Sequence, residues 1–134
     1  MSLSTKQVTA RLGISHERVE QWISRGYFST ADNPGRGVAR EWTLDDAIRL
    51  KATAELVEAA LSPGIAAHHG KYAAWGKHQT RCFLIVKFQR DGSTVSEVVE
   101  KRRLSETLAD STTVIVLNLD NLRSTVVRAL DEQQ

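Results

Sequence analysis

One cysteine and two prolines in 134 residues set the first limits on this chain. Cys82 has no second thiol to pair with, so no internal disulfide staples the fold, which fits a reducing cytoplasmic compartment. Two prolines and eight glycines are too few for a fibrous or low-complexity chain. No apolar run reaches the roughly 18 to 20 residues that cross a bilayer. The N-terminus enters a polar helix start with no charged-then-apolar leader, so a cytoplasmic chain with no membrane partner is expected. A Gly-rich phosphate loop, a nucleophile elbow and a paired His-Glu hydrolase run are all missing, and neither an enzyme nor a cofactor is expected. Charge of one sign is missing too. Eighteen Lys and Arg face sixteen Asp and Glu, for a net charge of +2. With 41% hydrophobic residues the chain can still bury a core.

What is present begins with Ser4 to Trp42. Ser4 and Gln7 form a capping box, so a helix is predicted from Thr5, with Val8 and Leu12 on its apolar stripe. Gly13 ends it, because glycine takes the left-handed position after a helix without a Cβ penalty. Ile14 plugs the corner and Ser15 is a good N-cap for a second helix. Val19, Trp22 and Ile23 carry that helix's buried spacing, which leaves His16, Glu17, Arg18, Gln21, Ser24 and Arg25 outward, and Gly26 closes it. Asn33-Pro34-Gly35-Arg36-Gly37 is a turn cluster, and Val38 to Trp42 is predicted to return as a strand against Tyr27 and Phe28. That hairpin is a wing, with Arg36 at its tip and Arg40 on its return arm. A second capping box, Thr43 with Asp46, launches a helix from Leu44 to about Leu61.

This order of helix, turn, helix, wing, helix resembles the winged-helix domain of the MerR-type regulators, and is also similar to the winged helices of phage excisionases and small packaging proteins. The residues that carry the likeness are Val8, Ala10, Leu12-Gly13-Ile14-Ser15, Trp22, Arg25-Gly26-Tyr27, Arg40-Glu41-Trp42-Thr43, Asp46 and Leu50. It covers residues 4–62. Where MerR-type recognition helices carry an Arg-Tyr-Tyr-Glu run, this chain has Glu20-Gln21-Trp22-Ile23. The resemblance implies double-stranded DNA as ligand, and RNA polymerase as a further partner of a transcriptional regulator.

The second half follows another period. After the helix from Leu44, Pro63-Gly64 is read as a break, and Ile65 to about Trp75 as a fourth helix. Residues 63–80 form a connector. Cys82 to Phe88 is an apolar, β-prone run, Asp91-Gly92 a hairpin signal, and Thr94 to Glu100 an alternating strand. A short helix over about Leu104 to Ala109, a strand over Thr113 to Asn118 and a last helix capped by Asp120 follow, with Leu122, Val126 and Leu130 on its apolar face. The expected fold is α+β: an N-terminal winged helix-turn-helix over 1–62, the connector, and a small α/β unit over 81–134 in the order β-β-α-β-α.

Residues 1–62 hold eight Lys and Arg against eight Asp and Glu, so any DNA contact depends on where the charges fall. Arg18 and His16 are the expected base readers, at the start of the second helix beside its N-cap Ser15. Gln21, one turn on, reaches adenine or a phosphate. Lys6, Arg25, Arg36 and Arg40 are assigned to phosphate. Trp22 and Trp42 are read as core packing. His68, His69, His78 and Cys82 invite a metal reading, but structural zinc sites use four closely spaced ligands, and these lie in a polar connector and at the head of a strand. No metal is expected. The function expected is a sequence-specific transcriptional regulator that acts as a homodimer through residues 81–134. An excisionase-like or packaging-type architectural protein is the alternative, and a protein-interaction module without DNA binding is the second.

Overall fold

The structure, a computed structural model, describes residues 3–34, 38–74 and 81–131. Arg36 at the expected wing tip, and Trp75, Lys77 and His78 in the expected connector, lie outside them.

Helix α1 spans Thr5–Leu12 and α2 His16–Ser24. Ser4 closes its capping box, accepting from the Gln7 amide at 3.2 Å while its own amide donates to the Gln7 side chain at 2.8 Å. Gly13 sits at φ 70°, the left-handed geometry expected after a helix end. Helix α3, Leu44–Glu58, starts at its own capping box, Thr43 with Asp46. It ends at Glu58, three residues before the predicted Leu61, because Ala60 turns left-handed at φ 87° and the Leu61 amide returns to the Leu56 carbonyl at 3.0 Å. Pro63 opens α4, Pro63–Gly70, two residues before the predicted start at Ile65. Proline at a first helical position has no amide to waste. A 3₁₀ turn over Lys71–Ala74 follows.

Strands β1, Cys82–Phe88, and β2, Thr94–Glu100, meet through a turn in which Gly92 takes φ 89°. A 3₁₀ turn, Lys101–Arg103, leads into α5, Leu104–Leu108, then β3, Val114–Asn118, and α6, Leu119–Asp131. The mixed α+β class and the order β-β-α-β-α are as read from the sequence. The sheet order is β2-β1-β3 with both pairings antiparallel, so β1 is central. The last helix is capped two residues earlier than expected: Asn118 accepts from the Asn121 amide at 3.1 Å, while Asp120 accepts from the Arg81 amide.

The core runs through both halves. Val8, Val19, Trp22, Trp42, Leu50 and Leu56 share one buried cluster with Cys82, Leu84, Val86, Leu122, Val126 and Leu130. Helix α6 packs on α1, α3 and β1. Helix α3 is central and buried on more than one side, with Ala47, Ile48, Leu50, Ala52 and Leu56 all buried. Helix α4 crosses α3 so closely that a Cβ on Gly70 would stand 2.7 Å from the Thr53 hydroxyl and 3.1 Å from its backbone nitrogen.

The paired wing does not form among the described residues. Trp42 instead bridges Leu3, with the Trp42 amide donating to the Leu3 carbonyl at 2.8 Å. The physical reason lies in side chains. The Phe28 ring stacks on Trp42 at 5.5 Å and 12°, and the buried Trp42 indole N–H donates to the Thr5 hydroxyl at 2.7 Å. Those contacts seat Trp42 against α1, out of reach of a ladder with Tyr27 and Phe28, whose amides both close α2 onto the Trp22 carbonyl.

Candidate nucleic-acid interface

Helix α2 and the loop before α3 hold most of the residues in question. Ser15 spends its hydroxyl on the α2 N-terminus, accepting from the Arg18 amide at 3.3 Å. Val19 and Trp22 are buried, and they fix the helix's rotation. That rotation leaves His16, Glu17, Arg18, Gln21, Ser24 and Arg25 exposed. His16 lies 3.8 Å from Glu20, an i,i+4 neighbour. The Arg18 guanidinium rests over the Trp22 ring at 5.5 Å, a cation–π contact that orients it along the helix surface. It also borders a cavity of about 140 Å³ walled by Lys51, Glu55 and Glu58 of α3. Glu55 and Glu58 share that cavity wall with Arg18, a proximity that no spacing rule between residue 18 and residues 55 and 58 reveals.

The phosphate candidates divide. Lys6 and Arg25 are exposed on α1 and at the end of α2. Arg40 is half-buried, and its Nε is buried without a hydrogen-bond partner among the described residues, which leaves one donor of the guanidinium fork unspent. Arg11, one of the basic residues of α1, is committed elsewhere: it donates to the Leu130 carbonyl at 2.7 Å, near the end of α6. It therefore ties the two halves together.

The loop between α2 and α3 is held by carboxylates. Asp32 accepts from the Thr30 hydroxyl at 2.6 Å and from the Glu41 amide at 3.1 Å, and the Thr30 bond is the chief cause of its lowered pKa. Asp46, buried, accepts from the Ala31 amide at 3.0 Å and the Thr43 amide at 2.9 Å, and pairs with Arg49 at 2.5 Å. The Arg49 guanidinium lies over Phe28 at 5.0 Å. The sequence marks Asp46 only as a helix cap. Its second task, anchoring residue 31, needed the tertiary structure to be seen.

The residues weighed for metal go separate ways. His69 is buried, with one ring nitrogen 2.7 Å from the Ser96 hydroxyl and the other 2.7 Å from that of Thr94. Burial above all, then the neighbouring His68 and Lys71, pushes its pKa down. His68 sets its ring edge-on to Tyr72, and Cys82 is buried on β1, where burial raises its thiol pKa. Among the described residues no three His, Cys, Asp or Glu side chains converge on a metal position, and no helix is long and apolar enough to cross a membrane. Compared with known protein families and with curated proteins, the chain matches none.

Proposed function

We propose that this protein is a sequence-specific DNA-binding regulator of transcription, working as a homodimer with α2 as its recognition helix. The observation that carries the reading is the rotation of α2. Ser15 caps it, Gly13 sets the sharp entry, Val19 and Trp22 lock one face inward, and His16, Arg18, Gln21 and Arg25 stand exposed on a rigid element. A capped helix braced across a tight turn, with basic and amide side chains in its first turns, suits the major groove. Lys6, Arg25 and Arg40 supply phosphate contacts around it. Arg36, the expected wing tip, belongs to the same proposed set.

The near-neutral N-terminal region makes a single copy a weak binder, and two linked copies multiply the affinity. RNA polymerase is the further partner such a regulator would meet. The test is selection of bound duplexes from random DNA at stated salt, followed by footprinting of the winner. One short palindromic footprint supports the regulator. An extended periodic footprint replaces it with an architectural protein that coats DNA, and no footprint leaves an interaction module.

A further inference from the structure

The two edges of the sheet are protected very differently. On β2, His69 covers one face of the strand by bonding the side-chain hydroxyls of Thr94 and Ser96, the 3₁₀ turn at 71–74 packs alongside, and Glu97 and Glu100 add charge. Strand β3 itself has no such charge, and among the described residues no side chain is bonded along it in this way. From Ser111 to Leu119 the chain carries no charge, no proline and no glycine. An uncharged, regular edge strand is a template for another strand unless something covers it.

The hydrogen bonding says which groups are open. The Phe88 amide donates to the Thr113 carbonyl, and the register pairs Val86 with Ile115 and Leu84 with Leu117. Alternation in an antiparallel ladder then turns the N–H and C=O of Thr113, Ile115 and Leu117 toward β1, and those of Val114 and Val116 away from it. Neither Val114 nor Val116 has another backbone partner among the described residues. Val116 is 38% exposed, and Ile115 and Leu117 are only part-buried. Beside this edge a cavity of about 220 Å³ is walled by Lys51 and Glu55 of α3, an ion pair at 3.2 Å.

We infer that the chain dimerises by pairing β3 with β3 of a second copy, antiparallel and centred on Val116, so that two sheets become one. The inference rests on the dimeric part of the proposed function and gives it a seam. A two-fold axis at Val116 lets the two Val116 residues exchange both backbone hydrogen bonds, sets Ile115 against the second copy's Leu117, and places Val114 beside its Asn118. Apolar meets apolar, and the strand brings no like charges together. A two-fold also reverses the order of what it relates, so the Lys51–Glu55 pair meets its own copy with the charges in opposite order. That complementarity favours a second copy of this chain over a strand of arbitrary sequence.

The test reads mass and amide exchange on the full chain. Light scattering across a dilution series should show a dimer that dissociates. The Val116 amide should exchange slowly where the dimer is populated and at least tenfold faster on dilution, while the Ile115 amide, bonded to β1, should stay slow throughout. Val116→Lys and Val116→Glu should each be monomeric and folded, and mixing them in equal amounts should restore the dimer. If either variant fails to fold, the wild-type exchange pattern decides alone. A wild-type monomer at every concentration overturns the dimer and the seam together, and leaves the edge to a strand from another protein. A dimer whose Val116 amide exchanges fast overturns the seam and leaves the dimer standing.

Discussion

Helices α1 and α2 each hide one stripe, Thr5, Val8 and Thr9 in the first and Val19 and Trp22 in the second, and keep an exposed face opposite it. Strand β1 behaves otherwise. Cys82, Leu84 and Val86 point into the shared core, and Ile85, on the opposite face, is also fully buried. The N-terminal region thus keeps a polar face exposed, while the C-terminal region buries its central strand in the core and has β2 and β3 as its edges. Under the proposed function the first region would carry recognition and the second the dimer seam. Helix α6 is where they meet, since it packs on α1, α3 and β1 at once.

That meeting point is the first place to break the comparison. The helical region holds Leu12, Val19, Trp22, Trp42 and Leu50, a set that looks sufficient alone. Its packing against α6 adds buried surface that such a fragment would lose. Burying Leu122, Val126 and Leu130 is worth about 1.5–3 kcal/mol each, and a domain's whole stability is about 5–15 kcal/mol. A fragment ending at Lys77 is therefore expected to lose cooperative unfolding. Circular dichroism melts of the fragment and the full chain decide, and a sharp fragment transition would make the helical region independent.

Within the helical region the tightest joint is the crossing of α4 on α3. Gly70→Ala should destabilise the chain by about 1–3 kcal/mol, because the backbone of Thr53 cannot retreat from the added methyl. Denaturant midpoints measure it, and an unchanged midpoint would show that the helices slide apart cheaply.

Arg18→Ala sharpens the assignment of recognition to α2. Loss of a base contact should cost about 1–3 kcal/mol at one or two positions of the selected site and little elsewhere. Binding titrations against single-base variants check this. An equal loss on every sequence would mean that Arg18 serves phosphate, or only the Trp22 ring it covers.

The smallest effect is expected at His69, the pin between α4 and β2. Its folded pKa is lowered, so the unfolded chain takes up the proton first as pH falls. Its contribution to stability is complete above the ordinary imidazole value of about 6.5 and fades below it. Urea unfolding from pH 7.5 to 5 should show a decline that is shallower in His69→Gln. Equal slopes would remove His69 from the pH dependence.

Much of this was legible in the sequence, and the reason is range. The capping boxes at Ser4 and Thr43, the turn at Gly13, the cap at Ser15 and the limits of β1 and β2 depend on residues within four positions of one another. Local hydrogen bonds and the handedness of the backbone settle such features before any packing occurs. The exposed set on α2 followed from helical periodicity alone.

Other features waited for the tertiary structure. That Trp42 pairs with Leu3, leaving Tyr27 and Phe28 out of a wing ladder, depends on Thr5 and Phe28 together holding its ring. That Arg11 serves α6 depends on a carbonyl 119 residues away. The second buried side of α3 belongs here, as do the choice of Asn118 over Asp120 as a cap and the central place of β1. In each case several partners satisfied the local rules equally well. Only the folded chain decides which of them comes within reach, because burial and pairing are properties of neighbours in space.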